Sequence, residues 1–170
     1  QEFLDTLLIT SKNSFPAGPH VAILTNAGGL GVLASDAVSK KGLALAELST
    51  ETTSKLQELL PPAASSHNPV DVLGDAPMQR YEDALNLISE DPAVEMLLVI
   101  VTPQSMTEAT ATAEALLRFR ERSPLPLAAV FAGKDSFKEA RAILDPTIAT
   151  YQMAEAGADA LSALHTFSVW

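Results

Sequence analysis

The run Asn26-Ala-Gly-Gly-Leu-Gly31 follows the apolar segment His20-Val-Ala-Ile-Leu-Thr25. Beyond it Leu30, Leu33, Ala34, Ala37 and Val38 recur at helical spacing. Glycines between a strand and a helix admit φ > 0 and let a ligand approach the backbone. The first N–H groups of such a helix lack intrahelical partners and carry the positive end of its dipole, which suits a phosphate-like anion. No Gly-Lys-Ser/Thr follows, so this is not a P-loop, and glycines at 28, 29 and 31 do not make G-x-G-x-x-G. A tight turn with close helix contact would use the same residues. Composition leaves both readings open.

Ser65-Ser66-His67-Asn68-Pro69-Val70-Asp71 sets a histidine beside hydroxyls and a carboxylate, a pattern that suits a phosphate carrier or a general base. The plainer reading, an exposed loop histidine beside a turn-forming Asn-Pro, is the one adopted here. His20 and His165 read as structural or surface residues, and Met78, Met96, Met106 and Met153 as apolar filler. Asp71, Asp75 and Asp91 lack recognisable ligand spacing, so no metal site is expected. A flavin would call for stacking aromatics. Trp170 is the sole tryptophan, and Tyr81 and Tyr151 are not expected beside the glycine run.

Positioning these residues requires alternating strands and helices. Apolar runs at 20–25, 43–48, 96–101 and 127–131 read as strands, with a weak one near 148–151. Helices are expected at about 30–41, 52–60, 106–122, 136–144 and 154–167, with another around Tyr81, Ala84, Leu85 and Ile88. Ser105 with Glu108, and Ser136 with Glu139, are spaced as capping boxes. Residues 63–76 read as one long irregular connection. Strands apolar throughout need cover on both faces, which parallel strands joined by helices provide. The expected fold is therefore α/β: a doubly wound, parallel, flavodoxin-like or Rossmann-like sheet in three layers. Ligands in such sheets bind beyond the carboxyl ends of the strands, which points to Asn26–Gly31, Thr102–Ser105 and Ala132–Asp135.

Composition narrows the classes. The 170 residues include no cysteine, excluding disulfides, Cys-ligated zinc, iron–sulfur clusters and a thiol nucleophile. A net charge of -10 argues against non-specific binding to nucleic acid or an anionic membrane. The most apolar run, Met96 to Val101, is far short of a membrane span, and no signal peptide is recognisable, so a cytoplasmic location is expected. The first residue is Gln, and the expectation is a piece of a longer chain. Residues 1–19 would be a helix and hinge-like linker from a preceding domain, and 20–170 the domain itself.

Val21 to Leu33 resembles the ADP-forming (NDP-forming) acyl-CoA synthetases, or acetate–CoA ligases, and more distantly succinyl-CoA synthetase. Three matches follow in order: Leu60-Pro-Pro-Ala with Asn68-Pro-Val-Asp71, Leu97–Val101 with Thr102-Pro-Gln104, and Ala132-Gly133 before an Ala/Glu/Arg-rich helix. They extend from about residue 20 to 165 and thin around Asp145–Ala160. The resemblance implies a succinyl-CoA synthetase-type flavodoxin-like domain of an enzyme that makes acyl-CoA, ADP and phosphate from an acid, CoA and ATP. CoA, ATP and Mg²⁺ would belong to the complete enzyme, which adds a CoA-binding Rossmann domain, a phosphohistidine-bearing ligase domain and an ATP-grasp unit.

By the same resemblance, the helix start at Asn26, Ala27, Gly28, Gly29, Leu30, Gly31 and Val32 would bind phosphate carried on the neighbouring domain's histidine. Asn68, Pro69, Val70, Asp71, Thr102, Pro103, Gln104 and Gly133 would shape the crevice. His67 does not inherit the carrier role, because the family's histidine lies in the preceding domain. The isolated chain would be inactive. The alternative implied is a non-catalytic regulatory module, as in protein acetyltransferases with synthetase-like domains.

Overall fold

A computed structural model describes residues 2–133 and 135–169. Lys134, in the third candidate loop, and Trp170 lie outside the described residues. The elements run α1 (Glu2–Lys12), β1 (His20–Thr25), α2 (Gly28–Lys40), β2 (Ala44–Leu45), α3 (Thr50–Leu59), β3 (Val70–Asp71) and α4 (Met78–Ser89). They continue with β4 (Met96–Val101), α5 (Ala109–Arg122), β5 (Leu127–Phe131), α6 (Lys138–Leu144), β6 (Ala149–Tyr151) and α7 (Ala154–Ser168). All pairings between these strands are parallel, in the order β2-β1-β4-β5-β6. The three-layer, doubly wound expectation holds. Every residue of β4 and β5 is buried, as two-faced cover requires.

Alternate strand residues feed two cores. Leu97, Val99 and Val101 meet α3, α4, α5 and α6 through Leu56, Leu85, Phe119 and Leu144. Met96, Leu98 and Ile100 face α1, α2 and α7 through Ile9, Val38 and Leu161. Gly157 lets α7 lie close against the sheet: a Cβ there would fall 2.8 Å from Leu98 Cδ1 and 2.9 Å from Val130 Cγ2. The N-terminal helix shares this core, since Ile9 is fully buried. Asn13 Oδ1 accepts from Leu127 N at 2.8 Å, and Gly18 sits against the Glu95 carboxylate. The run expected to act as a hinge is thereby pinned to the sheet.

The edge beside β1 departs from expectation. The predicted strand at 43–48 shrinks to Ala44–Leu45, which pairs only with His20 and Val21. The remaining edge is taken by Val70–Asp71, inside the segment read as irregular, which pairs with Leu24 and Thr25. Between these short strands lies the Asn68 side chain. Its Oδ1 accepts from Ile23 N at 2.9 Å, and its Nδ2 donates to Val21 O at 2.8 Å and Ala46 O at 3.0 Å. One carboxamide therefore does the work of a missing strand residue.

The capping boxes do not form. Helix α5 begins at Ala109, and the Glu108 carboxylate instead accepts from Met78 N at 2.9 Å, capping α4. Helix α6 begins at Lys138 after Phe137, with no side-chain cap. Helix α3 is capped, by Ser49 accepting from Thr52 N at 3.2 Å, and behind that cap lies Asp91. Asp91 is 3% exposed and accepts from Ser49 N and Ala93 N at 2.8 and 2.9 Å. Burial pushes its pKa up, but hydrogen bonds from Thr52, Ala93 and Ser49 outweigh that and hold it below the ordinary value. A carboxyl with a depressed folded pKa contributes stability above its unfolded pKa, and loses it as pH falls through the folded one. Stability should therefore decline in acid below about pH 4. Asp91→Asn should flatten that decline in urea titrations taken across this range, and an unaltered slope would refute the assignment.

Candidate functional site

Strand β1 ends at Thr25, whose Oγ1 accepts from Ala27 N at 3.0 Å and fixes the turn into α2. The helix opens at Gly28, two residues before Leu30, with extended Ala27 as N-cap. No side chain caps it from within, and its first turn contains no acid. Gly28, Gly29 and Gly31 lie outside the left-handed region, so the expected φ > 0 is not what the glycines supply. They supply space. A Cβ on Gly31 would lie 3.1 Å from Thr25 Cγ2 and 3.2 Å from Pro69 Cβ, so Gly31 serves close contact within the domain. One on Gly28 would lie 2.9 Å from Asp71 Oδ2, while one on Gly29 meets nothing within 4 Å. Gly29 alone of the three faces open space.

Seven residues from Asn26 to Val32 were candidates for phosphate. Ala27 N is bonded to Thr25 Oγ1, Gly31 N donates to Ala27 O at 3.1 Å, and Val32 N lies within the helical ladder. The amides of Gly28, Gly29 and Leu30 have no hydrogen-bond partner among the described residues. Gly28 and Gly29 are exposed.

Asn26 is buried and turned away. Its Oδ1 accepts from Thr102 N at 2.8 Å and Thr102 Oγ1 at 2.9 Å, and its Nδ2 donates to Thr102 O at 3.1 Å. Gln104 Nε2 donates to Thr102 Oγ1 at 3.2 Å. Thr107 Oγ1 donates to Thr102 O at 3.0 Å and accepts from Gln104 N at 3.0 Å. This network fastens the end of β1 to the loop after β4. Sequence reading missed Thr107, because a lone threonine five residues beyond Thr102 fits no recognised motif.

The other crevice residues gather at the same carboxyl edge. Pro69 lies against Gly31, and Gly74 meets Gln104, where a Cβ would fall 3.3 Å from Gln104 Cγ. Gly133, at φ +144°, a conformation that favours glycine, brings the loop after β5 to Pro103. Val70 is buried in β3, and its neighbour Asp71 accepts through Oδ1 from Leu73 N at 2.9 Å. Asn68 lines the edge with its polar atoms already committed to backbone.

Tyr81 lies nearer to this site than expected. Its hydroxyl is buried under the strand ends and donates to Ile100 O at 2.9 Å, beside the Asn26 backbone. Burial and then the Asp71 charge push its pKa well above the ordinary phenol value, so it stays a neutral donor. His67 is exposed, and its ring has no hydrogen bond among the described residues. Asp75 pairs with Arg80 at 2.7 Å, and Asp91 serves α3. No group of three or more His, Asp or Glu among the described residues could hold a metal ion. Nor is any described helix long and apolar enough to cross a membrane.

A parallel flavodoxin-like sheet whose β1, β4 and β5 loops converge on an open helix start defines the class of α/β ligand-binding domains. This chain belongs to the Ligase-CoA domain family, whose family model matches residues 21–166. It is 39% identical over 117 residues to acetate–CoA ligase (ADP-forming) I of Archaeoglobus fulgidus, covering 69% of this chain and 17% of that protein. Against the alpha subunit of acetate–CoA ligase (ADP-forming) II of Pyrococcus furiosus, identity is 36%, over 88% of this chain and 34% of the subunit. Among solved structures, dinucleotide forming acetyl-coenzyme A synthetase 1 of Ca. Korarchaeum cryptofilum, in complex with phosphate and ADP, superposes with a TM-score of 0.91. Identity there is 26%, covering 99% of this chain and 37% of that one. The chain thus spans well under half the length of each.

Proposed function

We propose that this chain is one domain of an NDP-forming acyl-CoA synthetase, and that the start of α2 stabilises a phosphoryl group on the histidine of a neighbouring domain. The observation that carries this reading is the trio of unpartnered amides at Gly28, Gly29 and Leu30, with open space in front of Gly29. Three converging N–H groups and a helix dipole form an anion site that needs no basic side chain. That resolves the conflict with a net charge of -10, since the positive potential is local backbone.

The described residues do not fit Mg²⁺ or a triphosphate: they offer neither a metal ligand set nor a Gly-Lys-Ser/Thr loop. Those sites, and CoA activation, are assigned to the ATP-grasp and CoA-binding domains of the larger enzyme. Its carboxylic acid substrate would reach the crevice between such domains. The isolated chain is then inactive.

Titrating the 170-residue chain with inorganic phosphate while following backbone amide shifts tests the site. Gly28, Gly29 and Leu30 should shift most, and shifts scattered elsewhere would refute it.

A further inference from the structure

Where α1 lies against α7, a groove of about 1030 Å³ opens to solvent. It follows α7 from Met153 to Phe167, about 21 Å at the helical rise per residue. Its floor is made of small side chains: Ala156, Ala160 and Ala163 recur at i, i+4 and i+7 on α7, with Thr6 and Thr10 contributed by α1. Its walls are large, because Leu7, Phe15, Met153 and Phe167 line it and are all exposed. Apolar side chains of this size gathered around one concavity mark an interaction surface.

The charges on its rim set the chemistry of the occupant. Three are carboxylates, Asp5, Glu155 and Asp159, and one is a cation, Lys41, which Asp159 holds at 2.8 Å. Lys41 is fixed through its backbone as well, since its carbonyl accepts from Ser162 Oγ at 2.8 Å. Glu155 stands exposed in the first turn of α7 with no ion pair among the described residues. A fatty acid or an anionic lipid surface would bring like charge to this rim, and so would a second copy of a chain with a net charge of -10. The long, open shape suits an extended element rather than a compact small ligand, and an alanine floor lets a helix backbone come close.

We propose that this groove docks an amphipathic helix of a partner protein, its apolar ridge on the alanine floor and a Lys or Arg beside that ridge against Glu155. The inference stands apart from the anion site and does not depend on it.

The test titrates the 170-residue chain with two helical peptides of about four turns. They share one leucine ridge and differ only in its flanks, Lys in one and Glu in the other. Backbone amide shifts report where each binds. The Lys peptide should shift residues of α1 and α7 and bind about tenfold more tightly than the Glu peptide at low salt, a gap that narrows as salt is added. Glu155→Gln should weaken the Lys peptide severalfold. Glu121→Gln, on α5 in the opposite layer, changes the net charge equally and should leave binding unaltered. Ala163→Arg should abolish binding by filling the floor, and Phe167→Ser, at an exposed position, should weaken it in the same direction. Equal affinity for the two peptides, equal effects at Glu155 and Glu121, or shifts outside α1 and α7 would each overturn the proposal. So would silence toward both peptides at millimolar concentration. Concentration-dependent dimerisation that Ala163→Arg removes would overturn it too, by assigning the groove to a second copy.

Discussion

Gly29→Asp should abolish phosphorylation of the histidine in the complete ligase while leaving this domain slightly more stable. The site is the second residue of α2, and a Cβ there meets nothing within 4 Å, so the fold accommodates the side chain. An acid in the first helical turn complements the dipole, and replacing a helical glycine reduces unfolded-state freedom; together these contribute about 1 kcal/mol of stability. The same carboxylate then stands where the phosphoryl group must come. Two unit charges about 4 Å apart at a protein surface repel by about 4 kcal/mol, so the loss should exceed roughly a hundredfold. Gly29→Ala, which leaves the amides free, should cost only a fewfold. Radiolabelled phosphate on the histidine and thermal unfolding read the two effects separately. Undiminished phosphorylation in Gly29→Asp would overturn the proposed function.

Asn68→Ala should be among the most destabilising single substitutions outside the apolar core. Its carboxamide makes three hydrogen bonds to backbone, at 2.8, 2.9 and 3.0 Å, in the gap between β2 and β3. Truncation leaves Ile23 N without a partner in a fully buried residue of β1, while Val21 O keeps the bond it accepts from Ala46 N at 2.9 Å. An unpaired buried donor costs about 1–3 kcal/mol and the lost bonds to Val21 O and Ala46 O add about 1 kcal/mol, so a loss of about 2–4 kcal/mol is expected. Asn68→Asp should not rescue it. A carboxylate can accept from Ile23 N but sets an oxygen against the carbonyls of Val21 and Ala46. Urea unfolding measures the loss, and hydrogen exchange at the Ile23 amide reports the particular bond. A loss under about 1 kcal/mol would remove Asn68 from this role.

These variants mark the two kinds of residue in the crevice. Gly29 is valuable for what it leaves open, and its place after an apolar strand was readable directly. Asn68 and Asn26 looked like ligands because polar side chains in loops at the carboxyl edge of a sheet so often are. The structure spends both on backbone: Asn68 on β1 and on Ala46 just after β2, Asn26 on the β4 loop. Nothing in their spacing distinguishes an amide that meets a substrate from one that replaces a strand. Val70–Asp71 was invisible as a strand for a related reason. Two residues show no alternation, and they are ordered by the pairing with Leu24 and Thr25.

The capping boxes failed through competition. Ser105 and Glu108 have the right spacing, but Glu108 finds the free amide of Met78, on a helix that packs alongside its own. Tyr81 was correctly assigned to the buried face of α4 by its helical period. The position of its hydroxyl under Asn26 and Ile100 depends on how α4 crosses the sheet, which a period does not contain.

By itself the sequence determined the layered α/β fold, the parallel sense of its strands and the presence of an open, glycine-bearing helix start after β1. Long strands apolar on both faces have one economical burial, and a glycine-bearing helix start after a strand has free amides wherever it occurs. Only the tertiary structure decided which amides stay free, that Asp71 stands beside them, and that Asn68 and Glu108 serve distant backbone. Such partners are set by contacts between segments far apart in the chain, and local spacing holds no record of them.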